Sequence, residues 1–72
     1  MYNYQRLKDC REDNDYTQTE IAKLLGTYQT HYSKYERGER ELPMHLFIEL
    51  AKLYDVSLDY LAGLTNDKRK FW

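Results

Sequence analysis

An all-α domain built from five short helices is what this 72-residue sequence predicts. Three observations carry that reading. Glycine and proline are sparse, at three and one, so few positions break the chain. No strict alternation of apolar and polar residues runs beyond a few positions, which removes the usual mark of a half-buried strand. Apolar residues recur instead at spacings of three and four, the period of a helix with one buried face.

Tyr4, Leu7 and Cys10 are three apart and give one stripe, with Arg11 beside it, so a first helix is expected over residues 4–13. The run EDND at 12–15 ends it, because Asn and Asp side chains compete for backbone hydrogen bonds. The second helix has the clearest start. Thr17 and Glu20 form T-x-x-E, the capping-box pattern, directly before Ile21. Ile21, Leu24 and Leu25 are expected to form its buried stripe, with Ala22 small enough for close helix approach. Gly26 is placed to end the helix in a left-handed conformation. A third helix is expected from about 28 to 36, with Gly38 as its stop. Two short helices joined by a tight turn at a glycine are the outline of a helix-turn-helix. Pro43 suits the first turn of a fourth helix, in which Phe47, Leu50, Ala51 and Tyr54 follow the i, i+3, i+4, i+7 pattern. Asp55 falls in the next turn. Ser57 is the expected N-cap of a short fifth helix, with Asp59 in its first turn and Gly63 as its stop.

The length allows one domain, expected over residues 1–65, followed by a short polar and basic tail over 66–72. The closing TNDKRKFW reads as frayed. At this size core burial is marginally stabilising, and dimerisation often contributes. A single cysteine, Cys10, permits no internal disulfide, and MYNYQRLKD lacks the apolar run of a signal peptide. No apolar stretch approaches the ~20 residues that span a bilayer. A cytoplasmic protein without a membrane partner is therefore expected. Net charge is −1. Its sign alternates along the chain: basic in 1–11 and 21–40, acidic in 12–20 and 41–59, basic again in 60–72.

The residues make the resemblance more specific than a bare helix-turn-helix. TQTEIAKLLGTYQTHYSKYERGERELP (17–43) and IELAKLYDVSLDYLAGLT (48–65) are similar to the Xre-type, Cro-like family of phage repressors and bacterial regulators. The resemblance covers residues 4 to 65. It implies the lambda-repressor-like DNA-binding fold, with the third helix in the major groove of double-stranded DNA and the second crossing above it. It places Gln18 at a phosphate, where unpaired N–H groups and the helix dipole favour an anion. It places Gln29, Thr30 and Lys34 at base-reading positions: Gln for adenine, Thr for a base or a thymine methyl, Lys for guanine. His31 sits at the rim, within reach of a base or a phosphate. Ser33, Arg37 and Arg40 are the remaining expected backbone contacts. The resemblance also pairs Arg11 with Glu36, tying the recognition helix to the first.

Two features depart from the family pattern. Tyr28 stands where Ser or Thr would cap the third helix, so the cap shifts to Thr27 or is absent, and the tyrosine hydroxyl could lie on a phosphate instead. The near-zero net charge argues against tight non-specific binding, which phosphate neutralisation supplies.

The alternatives are plainer. On periodicity alone Gln29, Thr30 and Lys34 read as a solvated face, and only the resemblance turns them toward DNA. Tyr32, Tyr35, Tyr54 and Tyr60 read as packing residues rather than stacking platforms. Cys10 lies on an apolar stripe and reads as a small buried hydrophobe. His31, His45 and Cys10 lack paired ligand spacing, so no metal is expected. No catalytic motif appears, no cofactor is implied, and no small-molecule ligand is evident. The resemblance implies a sequence-specific transcriptional regulator, a repressor that binds a palindromic operator as a homodimer; family dimers form near the fifth helix, where Leu58, Leu61 and Leu64 are the candidate apolar surface, with Leu61 alternatively a core residue. The protein would be bacterial or phage-derived and associated with the nucleoid. The alternative is a protein-interaction module of antitoxin or adaptor type on the same scaffold, working through the acidic segments.

Overall fold

The computed structural model describes residues 3–69. Five helices follow in order: α1 (Gln5–Asp13), α2 (Gln18–Leu24), α3 (Gln29–Glu36), α4 (Met44–Tyr54) and α5 (Leu58–Leu61). Their starts differ, and the differences follow from side chains. At α2 the Thr17 hydroxyl accepts from the Glu20 N–H, and the Glu20 carboxylate accepts from the Thr17 N–H, so the capping box is complete. At α5 the Ser57 hydroxyl accepts from the Tyr60 N–H. Neither α1, α3 nor α4 has a side-chain cap.

Their ends are alike. Each helix closes with a left-handed residue whose N–H, and that of the next residue, return to the last carbonyls. Those residues are Asp15, Gly26, Gly38, Asp55 and Gly63. Aspartate tolerates this region better than most residues. At Gly26 no neighbouring atom lies within 4 Å of where a Cβ would stand, so its φ of +72° alone accounts for glycine there.

One core joins the helices. Leu7, Ile21, Tyr32, Leu50, Ala51 and Leu61 are fully buried, with Cys10, Ala22, Leu42, Leu46, Tyr54 and Val56 around them. Tyr4 packs edge-on to Phe47 at 5.5 Å, and its hydroxyl accepts from the Leu42 N–H. That bond fixes the connection between α3 and α4 from the far end of the chain. Tyr35 and Phe47 pack partly buried against the core, as does Tyr60.

Several sequence expectations need correcting. Leu24 is 60% exposed, and Ala22 is buried in its place. The two lie on opposite sides of the Ile21–Leu25 row, and the core takes the side of the smaller residue, where α3 comes close. Tyr4 precedes α1 rather than opening it. Of the two places open to Leu61 the structure gives the core, while Leu64 is 79% exposed.

The segment expected to fray makes hydrogen bonds back to the helices as far as Lys68. The Arg6 guanidinium donates to the Tyr60 and Thr65 carbonyls and to Asn66 Oδ1. It also stacks 4.0 Å from the centroid of the Tyr60 ring. The Ser57 N–H donates to the Lys68 carbonyl, and its hydroxyl donates to that of Asp67. The chain therefore returns along α5 and is clasped to α1. Phe71 and Trp72 lie outside the described residues. Among the described residues no helix is long and apolar enough to cross a membrane.

Candidate nucleic-acid interface

α3 is held on its inner side and open on its outer side. Tyr32, fully buried, and Tyr35, partly buried, anchor it to the core. The intervening residues face outward. Gln29, Thr30 and His31 are exposed, and Ser33 and Lys34 half-exposed. Gln29, Thr30, Ser33, Lys34 and Arg37 together line one open groove. At its leading edge Tyr28 is 75% exposed and meets His31 edge-on at 5.9 Å. Tyr28 is the N-cap residue of α3, with no side-chain cap bond, so no cap shifts to Thr27.

The inner side carries a hydrogen-bonded relay. Arg11 Nε donates to Glu36 Oε2 at 2.6 Å, and Nη2 donates to Oε1 at 3.2 Å. Arg11 Nη1 donates to the Tyr16 carbonyl, so the guanidinium spans the α1–α2 connection and the end of α3. The side chains of Arg11 and Glu36 are only 12% and 3% exposed. Hydrogen bonding to Glu36 raises the Arg11 pKa above its ordinary value and outweighs burial, which acts the other way.

Glu36 Oε1 also accepts from Gln18 Nε2 at 3.2 Å, and Gln18 Oε1 accepts from Gln29 Nε2 at 2.6 Å. The direction of this relay follows from chemistry. An ionised carboxylate can only accept, so Gln18 must turn its NH₂ toward Glu36. Its carbonyl then faces Gln29, which must turn its own NH₂ inward. Gln29 keeps its carbonyl oxygen and one N–H for an outside partner. Gln18, expected at a phosphate, thus has both ends of its amide occupied within the protein. Sequence reasoning missed this role. The two glutamines are eleven residues apart, and only the crossing of α2 and α3 brings them together.

Two buried hydroxyls lie behind the relay. Tyr32 and Tyr54 Oη are enclosed there, close to one another and to the Glu36 carboxylate. Burial pushes both pKa values far above the ordinary phenol value, with the Glu36 carboxylate adding to the effect. Burial likewise pushes the Cys10 thiol up, so Cys10 is a neutral core residue.

Past α3, Gly38 with φ +75° turns the chain back, and the Glu39 N–H donates to the Lys34 carbonyl. The Arg37 guanidinium then meets the Glu39 carboxylate at 2.5 Å on the surface. Arg40 is exposed on the same connection. His31 and Cys10 are apart in character as well as place: one is an exposed rim residue, the other buried. Among the described residues no three His, Cys, Asp or Glu side chains are grouped as metal ligands.

A helix-turn-helix family model matches residues 7–61 of the chain. The chain is 38% identical over 63 residues to an uncharacterized HTH-type transcriptional regulator, YobD, of Bacillus subtilis, covering 88% of this chain and 56% of that protein. To the HTH-type transcriptional regulator ImmR of the same organism it is 38% identical over 65 residues, covering 90% of this chain and 51% of the relative. A putative HTH-type transcriptional regulatory protein of Thermococcus kodakarensis, TK0539, is 34% identical over 56 residues, 78% of this chain and 18% of that protein. The chain spans about half the length of the Bacillus relatives named here.

Proposed function

The chain belongs to the Xre/Cro-like helix-turn-helix family, and from that premise we propose that it is a sequence-specific transcriptional regulator that reads double-stranded DNA through α3. The observation that carries the reading is the relay ending at Gln29. It leaves one acceptor and one donor of that amide facing outward, the pair that adenine N6 and N7 require in the major groove. Thr30 and Lys34 lie on the same groove and supply the neighbouring base contacts. His31 and Tyr28 meet the rim of the groove, and Ser33, Arg37 and Arg40 meet phosphates. Gln18 acts on the bases through Gln29, and the backbone N–H groups at the start of α2 meet the phosphate expected there.

One short helix reads few base pairs, so a homodimer on a palindromic operator is the working species, with half-sites about one helical turn apart. Leu64 and the exposed part of Leu58 form its apolar contact. Occupying an operator that overlaps a promoter suffices for repression, without catalysis or a cofactor, and places the protein with the chromosome in the cytoplasm.

Selection of bound duplexes from a random pool tests the reading. A palindromic consensus is expected, with an adenine preference in each half-site that Gln29→Ala relaxes. No enrichment even at low salt would remove the DNA reading and favour a protein partner instead.

A further inference from the structure

The groove on α3 contains one cation already engaged by an anion of the same chain. Arg37 lines that groove beside Gln29, Thr30, Ser33 and Lys34. Its Nε donates to Glu39 Oε2 at 2.5 Å. The pairing is built by the backbone as well as by two flexible side chains. Gly38 adopts φ +75°, and the Glu39 N–H is bonded to the Lys34 carbonyl, so the Glu39 backbone is held beside Arg37 while its carboxylate stays free to rotate away. Both side chains are about half exposed, at 55% and 46%, so water or another anion can reach the guanidinium.

We infer that Glu39 is an internal competitor for Arg37, occupying the guanidinium that a DNA phosphate takes on binding. The inference rests on the DNA-reading function proposed above. A carboxylate and a phosphate oxygen present the same acceptor chemistry to an arginine fork. Binding DNA therefore exchanges one anion for another at Arg37, and the free energy of the contact is reduced by that of the pair it replaces. Phosphate contacts carry no sequence information, so the attenuation falls equally on every duplex. Glu39 thereby holds down non-specific affinity and leaves selection to Gln29, Thr30 and Lys34.

The experiment is a fluorescence-anisotropy titration of a random-sequence duplex over a range of salt. It uses the full chain, Glu39→Gln, Arg37→Ala, the Arg37→Ala/Glu39→Gln double variant, and Glu41→Gln as a control. Glu41 is an exposed carboxylate on the same connection, so its variant reports the effect of charge alone. Circular dichroism checks that each variant is folded. Glu39→Gln is expected to bind about two- to fivefold more tightly, the worth of an exposed ion pair. Its logarithmic salt slope should steepen toward one more released counterion, by ~0.9. In the Arg37→Ala background the gain should vanish, and Glu41→Gln should gain less. An equal gain with and without Arg37 would show simple charge repulsion and overturn the proposal. Weaker binding by Glu39→Gln would make Glu39 a support for Arg37 and overturn it equally. If neither the natural chain nor Glu39→Gln binds any duplex at low salt, the DNA reading itself falls, and the competition falls with it.

Discussion

Two arginine–glutamate pairs bracket the C-terminal half of α3, and they have nearly the same contact distance. Arg11 and Glu36 meet at 2.6 Å, Arg37 and Glu39 at 2.5 Å. What separates them is water. The first pair is 12% and 3% exposed, the second 55% and 46%. The inner pair has further ties, from Arg11 to the Tyr16 carbonyl and from Glu36 to Gln18. Breaking it would strand a charge with no solvent to replace its partner. The outer pair can trade partners at little loss. Identical chemistry thus serves as a fixed strut in one place and as an exchangeable contact in the other, and burial decides which.

The largest test of that contrast is Glu36→Ala. It should lower the unfolding free energy by about 3–5 kcal/mol, because it leaves the Arg11 guanidinium shielded and unpaired. Urea denaturation measures it. A loss below 1 kcal/mol would place the inner pair in the same class as the outer one. Next in size, Gln29→Ala should reduce discrimination at one base position per half-site by about 1–3 kcal/mol. Gln18→Ala should show part of the same loss, because it removes the partner that orients Gln29. Competition binding with duplexes altered one position at a time reads both. If Gln18→Ala leaves base preference unchanged, the relay from the inner pair stops at Glu36.

A third prediction concerns pH. Tyr32 and Tyr54 keep their protons in the folded state at pH values where the unfolded chain, with phenols near 10.0, loses them. The unfolded state then binds fewer protons, so stability is retained below about pH 10 and falls as pH rises beyond it. Each tyrosine contributes about 1.4 kcal/mol per pH unit to that fall. Tyr54→Phe should flatten it, because it removes one of the two buried phenols. An unchanged alkaline limb would exclude Tyr54 as a source. The smallest effect belongs to the outer pair: Glu39→Gln should alter unfolding free energy by less than about 1 kcal/mol. A larger loss would erase the distinction between the two pairs.

Much of the fold was legible because its signals are local. The Thr17–Glu20 box, the Ser57 cap and the stops at Gly26, Gly38 and Gly63 each involve residues within a few positions of one another. Which face of a seven-residue helix turns inward is a different matter. Ile21 and Leu25 fit a stripe that includes either Ala22 or Leu24, and only packing against the rest of the chain chooses. Leu42, Leu46 and Val56 were missed as core for the same reason: two lie outside or at the edge of the periodic pattern, and one lies in a turn. On the site, the outward run of Gln29, Thr30 and Lys34 followed from the spacing of Tyr32 and Tyr35 once a family resemblance gave it meaning. The bond from Gln18 to Gln29 did not, because it depends on the angle between two helices. Nor did Arg37–Glu39, since short-range opposite charges are common on surfaces and few are held by a turn like the one at Gly38.

The Arg6 clasp bears on the order in which the protein is made. Arg6 is synthesised well before its acceptors among the described residues, which lie between residues 60 and 66. Leu7 likewise shares its core with Leu61. While the middle of the chain is being synthesised, α1 can meet α3 through Arg11 and Glu36 but lacks Leu61 and the acceptors of Arg6. The capping box and glycine stops can bias α2 and α3 toward helix during this interval, but closure must wait for the last turn of α5 and the residues beyond it. The domain is therefore completed as a unit at the end of its own synthesis, and a nascent chain arrested before Asn66 should remain open to protease at α1.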